Sequence, residues 1–444
     1  MTSIVLSQKK QKWLYCFASY LLFLLPLARI VYVQVKQRMF LVDFAAYSNV
    51  SLLLSKGCNP FPDHFELLTL LPPQRSDVPI VYPGQMVFFA LPGFLWGNAV
   101  QIGYLLLNTV TVFFLTGLTL VKACGYEWND LWRPGRKQFL YSLCCFCFFS
   151  SANAMNTMRL GQISVILTLC LYGMFWGPPL RLLQTFLFAF VAVTKYSVLP
   201  VFAPLLFFKG HWKLCISAFS LFILFSISPV FCGNDLKEVY LGYFEATKLL
   251  FQPGYCNYYG EAPMMCHLGF FKSSGINTFL KIVFICPALW LFWRERKTHY
   301  LSDTMLMLAF SLTMLISYHS VQDMSFFFPL FFIRLFAFFK EKNWLFFCIT
   351  ALFVLFLIIP GNLFMNVSSA IGGIPGAGSF ILLAETPYGQ SFHHVFPLLP
   401  FYCIALVFWS LYLYLRVDEP YRFYLPVPGR SGSDSEFAGM NSQA

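Results

Sequence analysis

"IVYPGQMVFFALPGFLWGNAV", residues 80–100, decides how often this chain crosses a membrane. The run is apolar and long enough to count as a span, yet Pro83, Gly84, Pro92 and Gly93 interrupt it, and these residue types break helices. Counted as a full crossing, it would put the next basic cluster, Arg133, Arg136 and Lys137, on the outside. The positive-inside bias argues against that placement. The stretch is therefore predicted to be a broken segment, inserted part way from the outer face. Irregular backbone at that depth requires burial against protein or a cavity.

The rest of the chain supplies the membrane that this reading assumes. Of 444 residues, 58% are hydrophobic and 11% charged, with mean hydropathy +0.66. A soluble domain carries about 25% charged residues, so too little polar surface remains to cover a water-soluble particle of this size. Apolar runs recur over approximately 13–34, 100–121, 138–152, 162–177, 180–195, 197–208, 213–232, 278–293, 300–318, 323–339, 343–362 and 396–416. The first follows Lys9, Lys10 and Lys12 without a small-residue cleavage site and reads as a retained signal anchor. Further basic clusters, at Lys209/Lys213, Arg294/Arg296/Lys297 and Lys340/Lys342, fall at alternate ends of these runs and are expected in the cytoplasm.

The fold class expected is thus an all-α polytopic membrane protein of about twelve spans, with outer-face juxtamembrane helices. Residues 1–416 form one transmembrane domain with outward segments 35–99, 233–277 and 363–395. Residues 417–444, with the polar end "RSGSDSEFAGMNSQA", read as a disordered cytoplasmic tail.

The net charge of +11 does not imply nucleic acid, because the cations sit in short loops between apolar runs. There is no zinc-finger spacing, Walker loop or GxGxxG. Most of the 14 cysteines lie in apolar runs, where they act as small hydrophobes.

The alternation puts a set of polar residues at the outer ends of spans, and none of them was used to set the topology. Asp43 follows the first span. Arg159 and Gln162 stand in "NTMRLGQIS", Lys195 in "TKYSVLP", and His319 and Asp323 in "ISYHSVQDMS". Taken singly, such residues are helix caps or snorkelling cations. "TKYSVLP" leaves little room for a solvated loop, and an ionisable group at such depth is functional by default. His319 and Asp323 are four apart; on a helix they would share a face and the carboxylate would orient the imidazole.

Read in order, these stretches resemble glycosyltransferase family 87 of the glycosyltransferase-C superfamily. "DFAAYSNVSLLLSKGCNPF" (43–61) is similar to the family's first outer loop, and "VYPGQMVFFALP" (81–92) to its Tyr-Pro-Pro segment, with Gly84 replacing the second proline. "RLGQISVILTLCLYGMFW" (159–176) resembles its Gly-Gln-x-Asn helix, with Ser164 for Asn. "AVTKYSVLPVFAPLLFFKGHWK" and "SYHSVQDMSFFFPL" resemble its Lys-x-x-Pro and Tyr-His-x-x-Tyr-Asp elements, with Pro200 displaced by two and Gln322 for Tyr. The resemblance implies a polytopic enzyme that takes a sugar, mannose first, from a polyprenyl-phosphate carrier. It further implies a lipid or glycan acceptor on the outer face of a bacterial inner membrane.

Such a donor carries an activated leaving group, so three roles need filling: a base for the acceptor hydroxyl, cations for the phosphate, and groups that orient the sugar. Asp43 is assigned as general base, its apolar neighbours raising its basicity. Lys195 and Arg159 are the phosphate ligands. His319 bonds phosphate or sugar or assists proton transfer, and Asp323 orients it. Gln162 bonds a sugar hydroxyl; Tyr47, Phe61, Tyr82 and Trp96 are candidate sugar platforms. Direct displacement with one base inverts the anomeric centre. No metal ligand set and no cofactor beyond the lipid-linked donor is expected. A transporter or carrier-lipid flippase is the rival reading, and it predicts broken helices and polar groups near mid-span.

Overall fold

The computed structural model describes residues 2–37, 41–61, 81–95, 97–151, 154, 157–158, 161–178, 180–248, 265–266, 274–298, 300–316, 319–358, 383–385, 391–393, 398–417 and 420–424. Helices occupy all twelve apolar runs. In chain order the elements begin with α1 (Thr2–Gln37) and the juxtamembrane α2 (Val42–Ser55). The interrupted stretch forms a 3-10 turn, Pro83–Gln85, and a short α3 (Met86–Phe94), and the chain turns at Leu95 before α4 (Asn98–Ala123). Residues 80–100 are therefore not one continuous helix. Gly93 permits the close seat of α3 on α2, since a Cβ there would stand 2.4 Å from the Ser48 carbonyl oxygen.

Next come α5 (Trp128–Trp132), α6 (Arg136–Ser150), α7 (Ser164–Trp176), α8 (Arg181–Thr194) and α9 (Leu199–Phe208). They are followed by α10 (Trp212–Ser226) and α11 (Leu236–Lys248). A two-residue strand β1 (Met265–Cys266) precedes α12 (Ser274–Arg294), β2 (Tyr300–Ser302) and α13 (Asp303–Ile316). After β3 (His319–Ser320), a 3-10 segment Val321–Phe327 leads into α14 (Phe328–Glu341) and α15 (Trp344–Ile358). Strands β4 (Leu383–Glu385) and β5 (Ser391–His393) precede α16 (Leu398–Arg416) and β6 (Arg422–Tyr424).

Among the described residues, two helical stretches are long and apolar enough to cross a membrane, Ala99–Ala123 and Trp212–Cys232. Arg181–Thr194 with Tyr196–Phe208 makes a third if counted as one span, bent by 106° at its break. Ser164–Trp176, Asp303–Leu315, Trp344–Ile358 and Tyr402–Arg416 are apolar but shorter. At 1.5 Å per residue such helices cover about 20 Å of a roughly 30 Å core, so their neighbouring turns and 3-10 segments have to contribute to any full crossing. The chain is a mostly helical membrane protein; a count of twelve spans remains an expectation.

The main core is aromatic and fills the space between α6, α7, α13 and α14. Phe148 stacks on Phe328 with centroids 4.3 Å apart, and Phe310 stacks on Phe326 at 5.3 Å. A smaller apolar cluster joins α2, residues 81–86 and α11 through Val50, Leu54, Phe61, Val81, Met86, Val239 and Tyr243. Asn234 ties this layer down by donating to the Leu54 carbonyl at 2.7 Å, at the end of α2.

At the opposite end, the tail does not leave the molecule at residue 417 as expected. Strand β6 pairs antiparallel with β2, Phe423 opposite Leu301, and the Asp303 amide donates to the Tyr421 carbonyl at 2.9 Å. Phe423 is 1% exposed, packed against Tyr172, Phe175 and Trp176. Aromatic burial offsets the ordering cost of this short segment. Residues 425–444 lie outside the described residues.

Arg334, a cation inside an apolar helix, is explained here too. Its guanidinium meets the fully buried carboxylate of Asp303, at the first turn of α13, with Glu341 at 3.4 Å. A buried charge is tolerated when paired in this way.

Candidate active site

Four separate segments bring their polar residues to one end of the bundle: the start of α2, the turn into α7, the break between α8 and α9, and the 3-10 segment before α14. Asp43 stands in the first turn of α2, where free backbone N–H groups favour a negative charge. Tyr47 is one helical turn on, on the same face. Both meet Gln162. The Gln162 side-chain amide donates from Nε2 to Asp43 Oδ2 at 2.5 Å and accepts at Oε1 from the Tyr47 hydroxyl at 2.8 Å. Gln162 is thus clamped by two α2 side chains.

Gly161 makes that contact possible. Its φ of +78° is left-handed, and a Cβ there would lie 2.7 Å from the Phe44 Cβ and 3.0 Å from the Leu41 Cβ. Leu41 is itself in the left-handed region, at φ 54°, just before α2. Two tight turns therefore press together, and any side chain at 161 would separate them.

Two residues beyond Gln162, Ser164 opens α7 and donates to Asp323 Oδ1 at 2.6 Å. The other carboxylate oxygen of Asp323 is 2.7 Å from Lys195 Nζ. Lys195 occupies the break of the bent helix pair, with φ −140° and ψ 67°. The 3-10 turn Pro83–Gln85 backs this break, the buried Gln85 amide donating to the Thr194 carbonyl at 3.0 Å. The Tyr-Pro-Gly-Gln stretch therefore shapes the Lys195 turn from behind.

Of the residues singled out in the sequence, Asp43, Tyr47 and Gln162 form one hydrogen-bonded group and Lys195 and Asp323 an ion pair. The short Gln162–Ser164 segment joins the two. His319 and Asp323 do not share a helical face: His319 sits in β3, paired with Cys266 of β1, whereas Asp323 belongs to the following 3-10 segment. Two strand residues interrupt the helical spacing, and the Asp323 carboxylate meets Ser164 and Lys195. The His319 side chain, Arg159 and Trp96 lie outside what is described.

Tyr82 packs into an aromatic group with Phe222, Tyr196, Tyr240 and Tyr243, its hydroxyl 2.8 Å from Ser226 Oγ. Burial pushes the Tyr240 and Tyr243 phenols far above the usual range, so both stay neutral. Phe61 is buried against Tyr243 in the smaller core and is thereby removed from the candidate sugar platforms.

Sequence reasoning missed Ser164 and Gln85 as site components. The signal for Ser164 was its spacing from Gln162; Gln85 offered none, because its partner is a backbone carbonyl.

The arrangement offers a carboxylate bonded to an amide that also accepts from a phenol, with an ammonium linked to them through Ser164 and Asp323, at one end of an apolar bundle. It suits proton abstraction beside an anionic group. The model of glycosyltransferase family 87 matches residues 81–317, just over half of the chain. Tyr82, Gln162, Ser164 and Lys195 fall within the match, while Asp43 and Tyr47 precede it and His319 and Asp323 follow it. No curated protein and no solved structure matches the chain.

Proposed function

This chain belongs to glycosyltransferase family 87 and is a membrane glycosyltransferase; from that premise we propose that its donor is a polyprenyl-phosphate sugar, mannose in the first instance. The acceptor is a lipid or glycan hydroxyl. The site faces outward, on the periplasmic side of a bacterial inner membrane, where the carrier tail lies among the apolar helices and the sugar stands above them. The observation that supports this reading is the Asp43 carboxylate bonded to Gln162, two residues from the Ser164 hydroxyl that meets the Asp323–Lys195 ion pair.

In the proposed step, Asp43 takes the proton of the acceptor hydroxyl as its oxygen bonds to the anomeric carbon. The bond from that carbon to the phosphate oxygen breaks, and the electron pair leaves with polyprenyl phosphate. One displacement inverts the anomeric centre, so a β-linked donor yields an α-linked product. Charge spreads onto the sugar ring as in glycoside hydrolysis. The Lys195 ammonium, which has N–H donors beyond the one facing Asp323, binds the departing phosphate, with Arg159 as second cation. Tyr47, Tyr82 and Gln162 orient the sugar, and His319 contacts phosphate or sugar. Side-chain cations neutralise the leaving group, so the reaction calls for no metal or cofactor.

Purified protein in lipid nanodiscs, supplied with labelled polyprenyl-phosphate β-mannose and a membrane glycolipid extract, tests this. Release of polyprenyl phosphate with an α-mannosyl product is expected. Donor bound or moved without cleavage would refute the transfer and favour a flippase.

A further inference from the structure

Lys195 is held by the Asp323 carboxylate, which Ser164 holds in turn, and neither of these two can itself reach a ligand. Asp323 and Ser164 are 0% and 1% exposed, whereas the Lys195 side chain is 18% exposed. The carboxylate is therefore closed to a substrate, whereas part of the Lys195 side chain is open. We infer that Ser164 and Asp323 are positioning residues for the donor phosphate: Ser164 fixes the Asp323 carboxylate, and Asp323 fixes the direction of the Lys195 ammonium. This rests on the reading that Lys195 contacts the donor phosphate, and adds two residues to it.

The geometry separates this role from general packing. Ser164, Thr168 and Tyr172 lie one turn apart on one face of α7 and meet successive parts of the segment 321–327. Ser164 donates to Asp323, Thr168 to Ser325 Oγ at 3.1 Å, and Tyr172 to the Phe326 carbonyl at 2.9 Å. The last two bonds hold α7 and the 3-10 segment together without Ser164, and the stacked Phe310 and Phe326 tie the same segment to α13. What the Ser164 hydroxyl adds is the orientation of one carboxylate. An ammonium is a compact charge on a flexible stem, so its direction has to be set by its partner. At Lys195 the backbone is interrupted and offers no regular helical frame. The buried carboxylate supplies that frame, and its other oxygen is locked by Ser164.

The test uses undecaprenyl phosphate, the carrier lipid without a sugar, binding to the full chain in nanodiscs, together with donor KM, acceptor KM and unfolding midpoint. Ser164→Ala is expected to weaken lipid-phosphate binding about three- to tenfold, the loss of one hydrogen bond to a charged group felt one residue away. Donor KM rises with it and acceptor KM does not. Ser164→Thr, which keeps the hydroxyl, restores binding. In a Lys195→Met background, Ser164→Ala has no further effect. Where Ser164→Ala does not accumulate, Asp323→Asn is measured in the same two backgrounds with the same expectation. Wild-type affinity in Ser164→Ala, with Lys195→Met weakened, overturns this inference alone. So does an equal loss with and without Lys195, which would mark a structural role. Undiminished binding in Lys195→Met overturns the donor-phosphate reading, and this inference with it.

Discussion

Gly161→Ala is the smallest change that attacks the site through its backbone. The residue has φ +78°, where an L side chain costs about 1–2 kcal/mol. The new methyl would stand 2.7 Å from the Phe44 Cβ and 3.0 Å from the Leu41 Cβ. Carbon pairs rest at roughly 3.5–4.0 Å, so the turn and the start of α2 must part by about 1 Å. Overpacking of this kind costs about 1–3 kcal/mol, for a total of roughly 2–5 kcal/mol. The Gln162–Asp43 bond, 2.5 Å long, would then stretch to about 3.5 Å and cease to be one. The assay is unfolding midpoint and sugar transfer of the detergent-purified variant, with Gly103→Ala as control. Gly103 has open space where its Cβ would go. Gly161→Ala should lower the midpoint and transfer together, and Gly103→Ala neither. Unchanged midpoint and turnover in Gly161→Ala would refute the argument that this turn sets the site.

Three further outcomes follow from the opposite end of the molecule. Arg334→Met strands the buried Asp303 carboxylate and should cost about 3–5 kcal/mol, while Arg334→Met with Asp303→Asn should recover most of it; denaturant midpoints of both variants check this. Phe423→Ala removes a fully buried ring from β6 and should cost about 3–5 kcal/mol with donor KM unchanged, checked by unfolding and kinetics. Lys209, at the end of α9, donates to the Glu295 carbonyl at 2.7 Å, and burial holds its pKa down at about 8 despite the nearby Glu295 charge. The unfolded chain then binds the extra proton between about 8 and 10.5, so stability should rise with pH across that window and stay at its lower level beneath it. A thermal midpoint that does not climb from pH 8 to 10, or climbs equally in Lys209→Met, would contradict this.

The apolar runs were legible because helix needs only local pattern, and helices occupy every run. The interruption in residues 80–100 was legible from Pro83 and Gly84, whereas Pro92 and Gly93, also expected to break the helix, lie inside α3, which ends only at Phe94. The Lys195 turn was legible from its tight apolar flanks. Partners were not. Asp323 and Lys195 lie in segments whose meeting depends on how α8 bends away from α9, and Ser164 enters because α7 starts beside them. Spacing alone suggested a helical His319–Asp323 pair, and the strand pairing with Cys266 decided otherwise. The docking of β6 was hidden because residues 422–424 gain their stability from the aromatic ends of other helices, not from their own pattern.

The central claim is that Asp43 is the base. Asp43→Asn keeps the side chain's shape and its place beside Gln162 while removing its basicity. Single-turnover transfer from polyprenyl-phosphate mannose should fall by about a hundredfold or more, the usual scale of general base catalysis, with donor affinity retained. Transfer near the wild-type rate would contradict the account.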